Sequence, residues 1–232
     1  MKADMSVNFT AGHSVRGRDI LAYRFGADCE TKCSRILVLG AVHGDEPEGP
    51  WLLGELIPKW TESWLYPNLE VIAIPEVNPD GFHARLRVNA NSVDLNRNMP
   101  TKDWQPHYQD PDNNPGPAPG SEPETQAILS LLKSHSPHAI LTIHSMKAYQ
   151  INCNGPALQW CQALAQVSGY PVTEDIGYPC PGSLGTYAGA ERQIPTITLE
   201  IERGLSRMEV LGKHLATVRT ALEYWNRQAS PV

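Results

Sequence analysis

Leu39-Gly40-Ala41-Val42-His43-Gly44-Asp45-Glu46-Pro47-Glu48 ends an apolar run that starts at Ile36 and breaks into a polar, glycine-bearing turn. A short run rich in β-branched residues, cut off by such a turn, is the pattern of a strand buried on both faces of a parallel sheet. Three more runs have this character, at 69–75, 139–143 and 196–201. Helical spacing fills the intervals. Residues 47–60 begin with prolines near a helix N-terminus and carry Trp51, Leu52, Leu56 and Ile57 at helical intervals. Ser121-Glu122-Pro123-Glu124 reads as a capping box that opens a helix through Ile128, Leu131 and Leu132. Two further helices are expected over 156–167 and 206–226. Alternation of strand and helix predicts an α/β fold, with a mixed, mostly parallel sheet flanked by helices. A chain of 232 residues fits one such domain, spanning 1–232.

Composition narrows the function. A formal charge of −6 argues against nucleic acid or an anionic membrane as the main partner, so the expected ligand is small. No apolar core behind a basic start occupies residues 1–20, and no apolar stretch is long enough to span a bilayer, which together predict a cytoplasmic protein. The five cysteines, Cys29, Cys33, Cys153, Cys161 and Cys180, are odd in number and irregularly spaced, and reduced thiols are expected. Trp51, Trp60 and Trp64 on the first helix and its exit are either core or the face of a homodimer. Residues 100–120, crowded with proline, aspartate and asparagine, are too irregular for an element and form a candidate rim or lid.

The chemistry starts from His43 and Glu46. An imidazole and a carboxylate three positions apart, just beyond a strand, can converge on one ion, and His144 closes the run 139–143 as a third donor. Two close ligands and one distant one describe a catalytic zinc site rather than a structural one. The His-x-x-Glu spacing alone arises easily by chance in a chain with eight histidines. Position strengthens it, because all three residues fall at the carboxyl ends of predicted parallel strands, where open α/β sheets bind ligands. Another strand brings Glu200 to the same edge, sharing a face with Thr198 and Glu202 by period-two geometry. A carboxylate beside zinc that is not itself a ligand is the group needed to take a proton from water, so Glu200 is the expected general base, ahead of Glu202. The segment 76–98 gathers three arginines in an acidic protein, and guanidinium donors there can clamp a carboxylate or stabilise an oxyanion.

His43-Gly44-Asp45-Glu46, Asn78-Pro79-Asp80-Gly81, Val93-Asp94-Leu95-Asn96-Arg97-Asn98, Thr142-Ile143-His144-Ser145 and Thr198-Leu199-Glu200 resemble, in order and context, the motifs of the zinc carboxypeptidase A-like metallopeptidase family. The resemblance covers roughly residues 36–203 and implies one zinc ion per chain, held by His43, Glu46 and His144. It implies Glu200 as base, Arg87 as the oxyanion donor with Arg85 as the alternative, and Asn96 with Arg97 on the terminal carboxylate of a small peptide. Asp94 matches an acid that orients the first histidine, which a ligand imidazole needs at its other nitrogen. Larger relatives carry a substrate-contacting tyrosine some twenty residues ahead of the base. Here Tyr187 lies thirteen ahead and Tyr178 twenty-two, and Tyr187 is read as the rim contact. The compact length and Gly182-Ser183-Leu184-Gly185 resemble the short members that cleave the γ-D-glutamyl-meso-diaminopimelate bond of cell-wall tripeptide during peptidoglycan recycling.

Two rivals stand beside this reading. Deacylases of the aspartoacylase and succinylglutamate desuccinylase type share a similar His-x-x-Glu and Asp-Leu-Asn-Arg, but the Asn78-Pro79-Asp80-Gly81 and Thr142-Ile143-His144-Ser145 contexts favour the peptidase. A metal-binding protein without turnover would have no need of Glu200.

Overall fold

The computed structural model describes residues 6–26 and 33–228. Its centre is an eight-stranded sheet in the order β1-β2-β4-β3-β5-β8-β6-β7. The strands are β1 (Ser6–His13), β2 (Asp19–Phe25), β3 (Ser34–Leu39), β4 (Leu69–Ile74), β5 (Ala139–Met146), β6 (Gln150–Asn154), β7 (Val172–Thr173) and β8 (Thr196–Glu202). The four runs read from the sequence are the four central strands β4, β3, β5 and β8, which pair parallel to one another. Both of their faces are covered, which is why they lack polar alternation.

One face packs under α1 (Glu48–Glu62), α4 (Leu158–Ser168) and α5 (Arg207–Gln228), around Leu52, Trp60, Trp160, Leu199 and Val218. The other carries α3 (Pro123–His135), with Ile128 and Leu131 against Leu37, Leu39 and Ile74. Trp60 is buried edge-on against Phe25, Trp64 stacks on the same ring, and Trp51 packs on that core. Trp60 therefore serves the core, with Trp51 and Trp64 half-buried against it. Among the described residues, no helix is long and apolar enough to cross a membrane.

The differences from expectation have local causes. Strand β3 stops at Leu39 rather than 42, because Ala41 takes a left-handed φ of +44° that re-aims the chain toward His43. The β1–β2 hairpin escaped notice because β2 hides few large side chains; Ile20, Ala22 and Phe25 point inward among exposed residues. Strand β6, with the sequence Gln-Ile-Asn-Cys-Asn, is polar because Asn152 and Asn154 line a cavity. Helix α2 (Pro79–Ala84) sits where only turns were read, opened by Pro79 and capped by Asn78 Oδ1 accepting from Gly81 N–H at 2.9 Å.

Two expectations are overturned. The capping box does not form: Ser121 Oγ turns to Glu122 at 2.6 Å, while Glu124 accepts from Val15 N–H and Asn89 Nδ2, both at 3.0 Å. Glu124 is drawn into tying the 89–94 loop to α3 instead of capping. The thiols are not all reduced, since Cys153 and Cys161 are disulfide-bonded with Cα atoms 6.4 Å apart. Gly155, at φ +67°, turns the chain from β6 back along α4 and brings the two together, a proximity that spacing alone did not reveal. Cys33 is also disulfide-bonded, Cys29 lies outside the described residues, and Cys180 is the free cysteine among those described.

Candidate metal centre

From β3 the chain crosses to β4 on one side and later returns to β5 on the other. This is a topological switch point, where the diverging connections leave a crevice at the carboxyl edge. His43 and Glu46 follow β3, and His144 lies on β5. The turn bearing the first two is held backbone to backbone. Gly44 N–H donates to Arg87 C=O at 3.2 Å, and a Cβ on Gly44 would fall 2.0 Å from the carbonyl carbon of Gly81. Only glycine permits that approach, so His43-Gly44-Asp45-Glu46 and Asn78-Pro79-Asp80-Gly81 are one packed unit.

Donor atoms of three residues converge there. His43 Nδ1 lies 3.0 Å from Glu46 Oε1, His144 Nδ1 lies 2.9 Å from Glu46 Oε2, and the two Nδ1 atoms are 3.1 Å apart. All three residues are buried. Their opposite sides are already engaged. Asp94 Oδ1 accepts from His43 Nε2 at 3.1 Å, and His144 Nε2 meets Thr142 Oγ1 at 2.9 Å. An ionised carboxylate can only accept, so Nε2 of His43 carries a hydrogen, and Nδ1 is the nitrogen left to face a metal ion.

Two imidazole nitrogens facing each other beside a carboxylate, away from solvent, are a donor set for a cation. The set suits zinc, because around a tetrahedral ion with bonds near 2.1 Å the ligand atoms stand about 3.4 Å apart, close to the spacing here. The electrostatics agree. Burial would lower the pKa of His43, but Glu46 and Asp94 outweigh burial and Arg87 and raise it to about 9, so the pocket favours positive charge at this point.

Asp94 is fully buried and saturated, accepting from His43, from Arg87 Nη2 at 2.9 Å and from Asn96 N–H at 2.8 Å. Burial pushes its pKa upward, but His43, Arg87 and Arg97 hold it below the ordinary carboxylate range. Arg87 reaches 3.3 Å from His43 Nδ1 and 3.6 Å from Glu46. Arg85 instead ends α2 in a left-handed conformation and borders a different cavity, so of these two arginines it is Arg87 that lies beside the donor cluster, where Arg203 also comes within 3.4 Å of Glu46.

Asn96 Oδ1 accepts from Leu184 N–H at 2.9 Å, and Gly182, at φ +74°, approaches Arg97 so closely that a Cβ would sit 2.1 Å from its carbonyl oxygen. The Gly182-Ser183-Leu184-Gly185 stretch thus positions Asn96 and Arg97. Glu200 stands opposite His144 in the β5–β8 register, and burial raises its pKa above the usual carboxylate value, with His144 opposing and Glu46 adding to the rise.

His43, Glu46, Arg87, Asn96, Arg97 and Glu200 all border one cavity of about 240 Å³. Tyr187 does not: it packs on the second core cluster with the Arg192 guanidinium 3.4 Å above its ring. Its place at the cavity is taken by Tyr178, whose ring lies 5.9 Å from the Arg97 guanidinium. Glu202 turns away to Lys213 on α5, at 3.8 Å. The sequence also gave no notice of Lys147, Cys180 and Arg203, which border the same cavity. Thr142 was legible, because two residues before His144 on a strand means the same face.

Two further cavities adjoin this one. One, of about 350 Å³, shares Asn96, Tyr178 and Cys180 and is walled by Asp103, Asn152, Asn154, Glu174 and Asp175. The other, of about 560 Å³, shares Arg97 and Tyr178 and is bordered by 105–115, which places the irregular 100–120 segment at the rim.

The family profile described as zinc carboxypeptidase matches residues 1–201. Murein peptide amidase A of Vibrio campbellii is 31% identical over 225 residues, covering 92% of this chain and 86% of the relative. Its counterpart from Escherichia coli K12 is 31% identical over 205 residues, covering 83% and 81%. Among solved structures, murein-tripeptide amidase from Escherichia coli O157 matches with a TM-score of 0.73 at 29% identity over 93% of this chain and 91% of that one. Carboxypeptidase A from Helicoverpa armigera, at 20% identity and a TM-score of 0.78 over 97% and 70%, shares the fold. With its family motifs folded around a buried His-Glu-His cluster, the chain belongs to the zinc carboxypeptidase family.

Proposed function

We propose that this protein binds one zinc ion per chain through His43, Glu46 and His144 and hydrolyses the γ-D-glutamyl-meso-diaminopimelate amide bond of murein tripeptide. The observation that supports the reading is one cavity bordered by His43 and Glu46 of the donor cluster, by the buried Glu200 and by Asn96 and Arg97. The relatives named murein peptide amidase A, alike over most of their length, support the substrate.

His43, Glu46 and His144 would hold the zinc ion, which would supply Lewis acidity and lower the pKa of a water toward about 7. Glu200 removes the proton from that water and hands it to the leaving amine, and its burial-raised pKa suits a group that must both take and give a proton. Arg87, anchored by Asp94, presents its remaining N–H groups to the developing oxyanion. Asn96 and Arg97 hold the terminal carboxylate. Beyond the scissile amide, diaminopimelate ends in one carbon that bears both an ammonium and a carboxylate, and the adjoining cavity walled by Asp103, Glu174 and Asp175 offers acceptors for the ammonium. Tyr178, rather than Tyr187, is the tyrosine in reach of bound peptide.

The sequence favours a cytoplasmic location, the alternative being an oxidising compartment in which a Cys153–Cys161 bond would persist. Thiol trapping in intact cells followed by fractionation separates the two. For the reaction, the test is mass spectrometry of products from L-Ala-γ-D-Glu-meso-diaminopimelate beside an N-acyl amino acid. Release of free diaminopimelate is expected; preferential hydrolysis of the N-acyl amino acid contradicts it.

A further inference from the structure

Two cations in the catalytic cavity have no part in the chemistry above. Strands β5 and β8 run parallel with Met146 opposite Glu202, and Arg203 N–H donates to Met146 C=O at 3.1 Å. Lys147 and Arg203 therefore leave adjacent strand ends side by side, and both border the cavity. Arg203 Nη2 reaches Asp45 at 3.0 Å and Glu46 Oε1 at 3.4 Å. Lys147 is exposed and forms no ion pair among the described residues.

Their flank is opposite in function to that of Asn96 and Arg97. Arg203 also borders the wide cavity beyond the Gly44–Pro47 turn, in which neither Asn96, Arg97 nor Tyr178 takes part. A peptide with its terminal carboxylate on Asn96 and Arg97 and its scissile carbonyl at the donor cluster thus directs its acyl part toward Lys147 and Arg203. An α-linked peptide offers a neutral amide there. A residue joined through its side-chain γ-carbonyl offers a free α-carboxylate.

We propose that Lys147 and Arg203 form a carboxylate-recognition site on the acyl side of the scissile bond, selecting acyl groups with a free α-carboxylate next to a γ-linkage. This rests on the functional reading above and adds to it the basis for choosing a γ-linked acyl group. Arg203 is held by Asp45 and Glu46, while Lys147 is exposed with no ion pair among the described residues. The pairing is charge-assisted and sits at a cavity wall, where such bonds exceed those of neutral pairs.

The test compares kcat/KM for L-Ala-γ-D-Glu-meso-diaminopimelate and for the same peptide with the glutamyl α-carboxylate converted to carboxamide. Wild-type protein should prefer the carboxylate by about tenfold or more. In Lys147→Met the ratio should collapse toward one, chiefly through KM, with zinc content unchanged. Arg203→Gln should do the same and serves as the second variant. A wild-type ratio near one, or a ratio that both variants leave at its wild-type value, overturns the proposal while leaving the amidase reading standing. Cleavage of neither peptide by zinc-loaded wild-type protein overturns both, so the two failures are distinguishable.

Discussion

His144 and Glu200 stand directly opposite each other in the parallel β5–β8 ladder, and only His144 turns a donor atom onto the Glu46 carboxylate. In the proposed mechanism one register pair supplies a ligand and a base, fixed relative to each other by backbone hydrogen bonds rather than by loops. Such rigidity keeps a catalytic pair within the narrow tolerance that proton transfer demands.

Asp94 holds His43 through Nε2 and leaves Nδ1 facing Glu46 and His144. Asp94→Asn removes the charge that favours this arrangement and should weaken zinc affinity about tenfold to a hundredfold, measured by competition with a chelator. Affinity equal to wild type would mean that Asp94 serves only Arg87.

Arg87 is buried against Asp94 and near both ligands. Arg87→Ala should lower kcat by about a hundredfold to a thousandfold, the cost of losing one preorganised oxyanion donor. Steady-state kinetics at saturating zinc gives the answer, and a change confined to KM would reassign Arg87 to ground-state binding.

Gly44 is a packing requirement as much as a turn residue. Gly44→Ala puts a methyl 2.0 Å from the Gly81 carbonyl carbon, and the turn bearing His43 and Glu46 has to move. Overpacking of this kind costs about 1–3 kcal/mol. Thermal unfolding together with zinc per chain should show both falling, and unchanged zinc binding would separate the glycine contact from the metal site.

How much of this was legible in the sequence follows from the same geometry. The central strands declared themselves because burial on both faces forces continuous apolar runs, and His43, Glu46 and His144 could be placed because they end those runs. Asp94 and Arg87 came through motif resemblance; the ion pair joining them depends on the loop clasped by Asn89 to Glu122 and Glu124, across more than thirty residues of sequence. Spacing along the chain alone favours Tyr178, twenty-two residues ahead of Glu200, over Tyr187 at thirteen, and Tyr187 is the sequence expectation only because this region is read as remodelled in the short members. The fold decides otherwise, since the π-helical turn Gly185–Ala190 carries Tyr187 to the core while the preceding loop lays Tyr178 over the cavity. Lys147 and Arg203 were invisible because neither forms part of a pattern; only the β5–β8 register sets them side by side.

His214 is fully buried on α5 with Nε2 3.0 Å from the Tyr170 hydroxyl, and burial, helped by Lys213, lowers its pKa to about 4 from 6.5. The folded protein therefore keeps His214 neutral where the unfolded chain is protonated. Its contribution is complete above pH 6.5 and is lost as pH falls from there toward 4. Between pH 8 and pH 5 the loss should be on the order of 1–2 kcal/mol. Urea unfolding of wild type and His214→Gln at both pH values isolates it, and equal acid sensitivity in the two proteins would assign the effect to other groups.

The central claim is that His43, Glu46 and His144 hold the metal while Glu200, outside the ligand set, moves the proton. It is tested most directly by measuring zinc per chain and turnover of the murein tripeptide together in Glu200→Gln. The account predicts one zinc per chain, as in wild type, with kcat reduced by about a hundredfold to ten-thousandfold. Near-normal turnover, or loss of the zinc along with the activity, would contradict it.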